Sequence, residues 1–493
     1  MAGWVFLALG LYVAAGMLVA LAARRGLSRE APTMVDFFLG NRTLSGLVNA
    51  LTYSATTYSA FMMVGLAGYT YQGGVGALGF ELIYLSGLLL AAFFGPRFWL
   101  AAKDRGYITV AEMLGDRYQS RTLAVVAALV SLVFLIPYSA VQLMGIGYLI
   151  SGLSFGTIPF ALGVLMATFT AVVWAWIGGL RSVAWTDALQ ALVMLFTAVL
   201  VLFFVVYGQL GGFAELFGRL EAQYPQWLQV PGPGFFRLST FLSLTLPWFF
   251  FCLSNPQVSQ RLYVPHSLKG MRTMIGGFLV FGLVYTVIAV LWGFCARVLL
   301  PDLPSPDLAT PTLLASPAVP KVLALLALAG ITAAAVSTID SILLTLSSTF
   351  ARDVYRTLRP QAAEVRQVQV GKWVIPVFSL LAMFFAFLRL DLIATLSVAS
   401  SAGLLVTVPP IIGAFCWKRG TAVGALAAML VGGTVVAVLQ FEGWRPLGLG
   451  AGIWGLAVAV AGFVLGSLLT RAPVTGEEFV TRLRQALAEK NAL

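Results

Sequence analysis

Charged residues, histidine and cysteine are all scarce in this chain of 493 residues. Asp, Glu, Lys and Arg together make up 10% of it, and it has one histidine, His266. The three cysteines are scattered through apolar segments without a paired spacing, which predicts neither a disulfide framework nor a metal site. The acids are dispersed as well, so the sequence offers no catalytic cluster and we expect the protein not to be an enzyme.

Long apolar runs are what the sequence has in abundance. Hydrophobic residues account for 60% of the chain and the mean hydropathy is +0.93, which is typical of polytopic membrane proteins. The run at 3–23 has neither a basic start nor a small-residue cleavage site, so it predicts a retained helix rather than a signal peptide. We therefore expect an all-α, multi-pass protein of a prokaryotic cell membrane, in contact with the lipid bilayer.

Apolar runs of roughly 20 residues or more define the predicted membrane spans. There are thirteen, at 3–23, 44–71, 77–96, 122–150, 156–177, 184–208, 236–254, 273–299, 317–350, 370–388, 391–416, 421–440 and 446–470. Twenty-four of the 30 Lys and Arg residues, Arg261 among them, then fall on one side. The positive-inside rule makes that side cytoplasmic, which puts the N-terminus outside and the C-terminus inside. This orientation explains the net charge of +11, so we expect no nucleic-acid partner, and no obligatory protein partner is evident.

The span at 317–350 carries polar side chains in its middle. Ser337, Thr338 and Asp340 stand there among alanines. A carboxylate at the centre of a membrane helix is costly, and small residues let a second helix approach closely. Hard oxygen ligands in a dry site suit a small cation, so this segment predicts an ion site for a cation such as Na⁺.

Two other spans look interrupted. The second passes through a polar stretch at 49–60, and the seventh carries Pro247 followed by Asn255-Pro256. Broken helices at matching positions of two halves indicate a midplane site in a transporter built from an inverted repeat. The predicted organisation is an extra N-terminal helix and inner loop (1–43), a first five-helix repeat (44–208), an outer loop (209–235), a second, inverted repeat (236–420), and two peripheral helices with a cytoplasmic tail (421–493).

Three motifs in these spans resemble those of the sodium:solute symporter family. They are Gly178-Gly179-Leu180-Arg181-Ser182-Val183-Ala184-Trp185-Thr186-Asp187 with Gln190, Asn255-Pro256-Gln257 with Gln260-Arg261, and Ala334-Val336-Ser337-Thr338 with Asp353-Val354-Tyr355. The resemblance covers nearly the whole chain. It implies a LeuT-type fold with a 5+5 inverted repeat and about thirteen transmembrane helices, and Na⁺-driven uptake of a small organic solute.

The resemblance also implies a principal Na⁺ site between the first and eighth core helices. Carried over to this chain, its ligands are the backbone carbonyls of Ala55, Tyr58 and Ala334 and the hydroxyls of Ser337 and Thr338. An unwound helix frees carbonyls, and a neutral five-oxygen shell binds Na⁺ weakly enough to release it.

The resemblance to the family implies a second Na⁺ site only in part. Members with a second Na⁺ place an aspartate at the position of Asp187, close to the eighth helix, where Ser341 would be a partner. This chain has Asp340 where those members have a serine. Asp340 could strengthen a second Na⁺ site, carry a proton, or pair elsewhere.

The resemblance places the cargo between the first, third, sixth and eighth core helices. The candidate side chains are Thr56, Thr57, Ser59, Tyr138, Gln142, Trp248, Phe251 and Ser254. Tyr138 and Gln142 are one helical turn apart and share a face, and a buried Gln needs hydrogen-bond partners, which favours this pair. Glu81, early in the third span, is compatible both with facing the cargo and with a bonded position near the outer surface.

The same comparison with the family narrows the cargo. Phe61-Met62 stands where sugar-transporting relatives have Glu-Gln, and Thr57 stands where the proline carriers have an aspartate. The spacing of Tyr138 and Gln142 after a proline is most similar to the pantothenate and monocarboxylate carriers, so we expect a small carboxylate. The alternatives are a Na⁺/proline-type amino-acid symporter, a proton-coupled carrier and a solute sensor with the same fold.

Overall fold

The computed structural model describes residues 2–24 and 32–490, and within them the chain is helical without a strand. The predicted inner-loop charges Arg25 and Arg29 lie outside the described residues. The α-helices are α1 (Ala2–Arg24), α2 (Met34–Leu39), α3 (Gly46–Thr57), α4 (Ala67–Gly73), α5 (Gly76–Ser86), α6 (Leu88–Arg105), α7 (Val110–Arg117), α8 (Arg121–Leu153), α9 (Phe160–Gly208), α10 (Phe213–Gln223), α11 (Leu238–Phe249), α12 (Phe251–Ser254), α13 (Pro256–Ser259), α14 (Leu268–Leu299), α15 (Ala309–Ala315), α16 (Lys321–Thr349), α17 (Arg356–Leu358), α18 (Glu364–Leu388), α19 (Ile393–Leu404), α20 (Val408–Cys416), α21 (Ala422–Phe441), α22 (Ala451–Leu468) and α23 (Val474–Glu489).

Shorter turns of other helix types join these elements. Two are π-helical, Phe61–Leu66 and Phe350–Tyr355, and six are 3₁₀-helical: Gly40–Arg42, Pro225–Leu228, Gln260–Tyr263, Pro306–Leu308, Leu405–Thr407 and Pro446–Gly448. Single π-type turns inside α-helices are frequent near functional sites. The first of the two directly follows the interruption predicted in the second span.

In the described part of the chain, eleven helical segments are long and apolar enough to cross a membrane. Each coincides with a predicted span. The two predicted spans that are missing from this set, 44–71 and 236–254, are the two that the sequence marks as interrupted. The total of thirteen and the orientation of the termini stay predictions.

The first interruption separates α3 from the π-helical turn Phe61–Leu66. Tyr58 adopts extended backbone angles, φ −87° and ψ 90°, at the end of α3. The second interruption falls at Asn255, which is also extended, with φ −91° and ψ 110°. Proline at 256 disfavours the helical conformation in the residue before it, so Asn255 leaves the helix and α12 ends. Both predicted breaks are therefore confirmed.

Helix α16 forms the centre of the bundle. Every residue from Gly330 to Thr349 is buried, as expected of a helix that is surrounded on all sides. It packs along α9 and against α3, and α14 packs on another side of α3. The end of α3 lies against the middle of α16.

A sharp turn at Gly179 divides α9 into two membrane-crossing segments, Phe160–Ile177 and Gly179–Gly208. The residue has φ +57° and ψ −162°, a conformation that is essentially restricted to glycine. A Cβ atom there would lie 2.5 Å from the backbone oxygen of Phe37. The turn sets the direction in which the second segment, with Asp187, enters the bundle.

We predict that Gly179→Ala destabilises the fold by about 1–3 kcal/mol, because it adds backbone strain at this position. The measurement is the thermal unfolding of the purified protein in detergent. The matched control is Gly218→Ala in α10, where a Cβ would have nothing within 4 Å and where alanine favours the helix. An unchanged melting temperature for Gly179→Ala would contradict the prediction.

Candidate functional site

The end of α3 meets the middle of α16 through side-chain hydroxyls that bond to backbone carbonyls. Ser337 Oγ donates to the carbonyl oxygens of Ala55, at 2.9 Å, and Ala334, at 3.0 Å. Thr338 Oγ1 lies 3.2 Å from the Ala55 oxygen, 3.1 Å from the Thr56 oxygen and 3.1 Å from the Ala334 oxygen. Four of the five predicted Na⁺ ligands are thus brought together, and the Thr56 carbonyl joins them.

The helix break is what makes these carbonyls available. In a continuous helix the Thr56 carbonyl would accept from the N–H of Ala60. That N–H instead donates to Gln142 Oε1, at 3.2 Å. The N–H of Phe61 donates to Ser59 Oγ, also at 3.2 Å. Gln142 and Ser59 therefore satisfy the donors on one side of the break, while Ser337 and Thr338 satisfy acceptors on the other.

Tyr58, the fifth predicted ligand, lies at the break itself. Its ring stacks on Phe278 with 5.0 Å between the ring centroids and makes an edge contact with Tyr84. The aromatic ring anchors this residue, and coordination by its carbonyl stays a prediction. The assembled donor set consists of neutral, hard oxygens in a buried position, which fits a small monovalent cation.

A second buried cluster surrounds Asp187. Its Oδ2 accepts a hydrogen bond from Thr52 Oγ1 at 2.6 Å and pairs with Arg261 Nη2 at 3.3 Å. Arg261 also donates through Nη1 to Thr52 Oγ1, at 2.6 Å, and through Nη2 to Ser341 Oγ. The side chains of Arg261 and Asp187 are 5% and 0% exposed.

The position of Arg261 corrects the sequence analysis, which counted it among the charges of the inner loops. It lies in the protein interior because α13 and the turn Gln260–Tyr263 carry it back between α3, α9 and α16. The one available signal was its place in the Gln260-Arg261 motif directly after a broken helix. Spacing alone could not show that its partner was Asp187, 74 residues away.

The two clusters are connected through Thr56 and Ser341, whose hydroxyl oxygens lie 2.8 Å apart. Thr56 was predicted to contact the cargo, but its hydroxyl faces α16. Asp340, on the same helix, is fully buried, and neither of its carboxylate oxygens has a hydrogen-bond partner among the described residues.

A narrow cavity lies beside the first break. Four of the predicted cargo residues line it, namely Thr57, Tyr138, Trp248 and Phe251. The rest of the lining consists of Tyr58, Phe61, Met62, Glu81 and Tyr84. Its volume of about 10 Å³ holds no more than one water molecule. Glu81 Oε2 has no hydrogen-bond partner within 2–24 and 32–490, and its position on this cavity favours the cargo-facing alternative.

The remaining cargo candidates have structural partners. Ser59 and Gln142 hold the first break, as described above. Ser254 Oγ accepts from Asn255 Nδ2, at 3.1 Å, next to the second break. Their roles in cargo binding stay predictions.

A helical membrane protein with two broken helices beside buried oxygen clusters has the architecture of a secondary transporter. The model of the sodium:solute symporter family matches residues 37–432, and the chain belongs to this family.

Three comparisons place the chain further. It is 30% identical over 447 residues to the sodium/pantothenate symporter of Escherichia coli K12, covering 88% of this chain and 90% of that protein. It is 28% identical to the osmoregulated proline transporter of Bacillus subtilis 168, covering 95% of each. A Na⁺-coupled sialic acid symporter in a substrate-bound, outward-open state has a TM-score of 0.80 at 22% identity, covering 95% of this chain and 99% of that one. This last likeness supports the LeuT-type fold.

We predict that Thr338→Ala or Ser337→Ala weakens Na⁺ binding about tenfold or more, which corresponds to about 1.4 kcal/mol, because each change removes one of the predicted hydroxyl ligands. Equilibrium binding of radiolabelled Na⁺ to the purified variants measures the effect. Thr434→Ala is a matched control, because that residue is exposed and its hydroxyl donates to the carbonyl of Leu430, one turn earlier on the same helix. Unchanged Na⁺ affinity in both site variants would rule out the assignment.

Proposed function

We propose that the protein imports a small organic carboxylate, pantothenate-like or monocarboxylate-like, together with Na⁺ by alternating access. The observation that carries this proposal is the meeting of Ala55, Thr56, Ala334, Ser337 and Thr338 at the break of α3. The protein's membership of the sodium:solute symporter family and its 30% identity to a sodium/pantothenate symporter support Na⁺ as the coupling ion and a carboxylate as the cargo.

Na⁺ is the coupled cargo in this proposal. The hydroxyls of Ser337 and Thr338, which donate to carbonyls in this structure, would rotate so that their lone pairs face the ion. The ion would then hold α3 against α16 and fix Thr57, the residue after Thr56, at the cargo cavity. One charge moving through 100 mV contributes about 2.3 kcal/mol, which corresponds to roughly fifty-fold accumulation per ion.

The cavity lining refines the cargo. It offers the hydroxyls of Thr57 and Tyr138, the indole of Trp248 and the acid Glu81, and no Lys or Arg is among the described residues that line it. An acid in the lining disfavours a carboxylate beside it and suits a hydroxyl or amide donor instead. We infer that the polar, uncharged end of the cargo faces Glu81 and that its carboxylate points toward the half-helix that begins near Phe61, whose positive dipole end favours anions. Because the cavity holds no more than one water molecule in this structure, it must widen before it takes any cargo. Once widened, its two kinds of polar group suit a cargo with both ends, such as pantothenate, better than acetate.

We also infer the inverted-repeat organisation, with repeats at 44–208 and 236–420 and with the N-terminus outside. The two breaks support it, because one falls in the first helix of the first repeat and the other at the end of the first helix of the second. Cavity access from either side would then alternate as the repeats rock against each other.

Uptake into proteoliposomes tests the proposal directly. The panel is pantothenate, lactate, pyruvate, acetate, proline and glucose, each with and without an inward Na⁺ gradient at fixed pH and voltage. We expect Na⁺-dependent accumulation of pantothenate above all, and none of glucose. Accumulation of proline alone would favour the amino-acid alternative. Binding without accumulation of any member would favour a sensor and contradict the proposed transport.

A proton-coupled carrier is the second candidate. The buried carboxylate of Asp340, which has no hydrogen-bond partner in the described part of the chain, favours it. On the Na⁺ proposal, Asp340→Asn leaves the Na⁺ dependence in place, because asparagine fills the same volume and Asp340 is not one of the five principal ligands. On the proton alternative, the same change abolishes accumulation driven by a pH gradient. Uptake by the wild type and by Asp340→Asn, under a pH gradient without Na⁺, distinguishes the two.

A further inference from the structure

A pocket with a volume of about 260 Å³ lies between the end of α6 and α23. The buried residues that line it are apolar, namely Leu100, Ala101, Phe479 and Leu483. The exposed residues that line it are charged, namely Lys103, Asp104, Arg105, Arg482 and Lys490. The pocket therefore has an apolar floor and a rim that carries four cations and one acid among the described residues. This combination suits an amphiphile with a negatively charged head.

The cations of the rim are available to an anion. Within the described part of the chain, neither Lys103 nor Lys490 forms an ion pair. Arg105 and Arg482 do form ion pairs, at 3.1 Å and 3.4 Å, but their side chains are still 30% and 60% exposed. Exposed ion pairs are weak, so these two guanidinium groups can also turn to an incoming anion.

The pocket lies at the level expected for the membrane surface. The membrane-crossing segment Gly76–Arg105 ends at its rim. Helix α23 is amphipathic, because Val480 and Leu487 are fully buried against the bundle while Arg482 is exposed. A helix with two such faces is suited to lie along a membrane surface. The count of loop charges predicts that this side is cytoplasmic, where anionic lipids give the bilayer a negative surface potential.

Contacts outside the pocket hold α23 in place. Glu477, in its first turn, accepts a hydrogen bond from Lys418 Nζ at 2.7 Å. The ring of Phe479 packs against that of Phe415 in α20, with 6.3 Å between the ring centroids. The pocket is thus formed before any ligand enters, which lowers the entropic cost of binding.

We propose that this pocket binds an anionic phospholipid of the cytoplasmic leaflet, with the phosphate on the cationic rim and an acyl chain on the apolar floor. The floor favours a lipid over a soluble anion, because only the lipid covers Phe479 and Leu483. Helix α23 contacts α6 and α20, which belong to different proposed repeats. A lipid at the pocket would therefore strengthen a connection between the two repeats on the cytoplasmic side.

Lipid binding to the purified full-length protein tests the proposal without knowledge of the transported cargo. Native mass spectrometry counts the lipids bound during titration with dioleoyl phosphatidylglycerol or with dioleoyl phosphatidylcholine, which has the same acyl chains and no net charge. We expect tighter binding of phosphatidylglycerol. We expect Lys103→Gln and Lys490→Gln each to weaken it about fivefold, and the double variant about 25-fold, because each change removes one cation near the surface. Lys103→Arg keeps the charge and should keep the affinity.

Arg484→Gln is the matched control. Arg484 is exposed on the same helix but does not line the pocket, so its loss should leave the affinity for phosphatidylglycerol unchanged. Equal affinity of the wild type for both lipids, or an equal loss in Arg484→Gln and Lys103→Gln, would overturn the site. Displacement of phosphatidylglycerol by an excess of inorganic phosphate would overturn the lipid as its occupant. These outcomes leave the proposed Na⁺ import intact, because no ion or cargo residue lines the pocket among those described.

Discussion

The structure depends on one constraint, which is that backbone groups released by a broken helix inside a membrane must find partners within the protein. At the break of α3 the carbonyls of Ala55 and Thr56 accept hydrogen bonds from Ser337 and Thr338. The N–H of Ala60 donates to the side chain of Gln142. The polar residues that look misplaced in apolar spans are the ones that satisfy these groups. The same carbonyls are ready-made ligands for a cation, so the cost of the break and the proposed ion site have a common origin.

The second buried cluster obeys the same rule for charges. A carboxylate and a guanidinium away from water are tolerable only when they are paired and hydrogen-bonded. Asp187 and Arg261 meet that requirement with Thr52 and Ser341 as further partners. Because Thr56 bonds to Ser341, α3 is tied to both clusters at once. We therefore expect a change at either cluster to alter the packing of the break, beside which the proposed cargo cavity lies.

Much of this arrangement was predictable from the sequence, because membrane helices can be recognised by the length and hydropathy of their apolar runs. The interruptions near Tyr58 and at Asn255 were predictable from polar residues and proline. Ser337 and Thr338 were recognisable as candidate ligands because they are polar residues in the middle of an otherwise apolar span. The pairing of Arg261 with Asp187 was not predictable, since a count of loop charges cannot reveal that a chain turns back into the bundle.

The cargo residues were harder to assign than the ion ligands, and the reason is physical. A hydroxyl or amide near a helix break can face the cargo or satisfy the backbone, and the sequence looks the same in both cases. Gln142 and Ser59 take the second role here, whereas Tyr138 and Trp248 line the cavity.

The central claim is that Na⁺ joins α3 to α16. Hydrogen–deuterium exchange of the segment around residues 52–61, in Na⁺ and in choline, tests it most directly. The account predicts slower exchange in Na⁺ for the wild type and no difference for Thr338→Ala, and equal exchange in both salts for the wild type would contradict it.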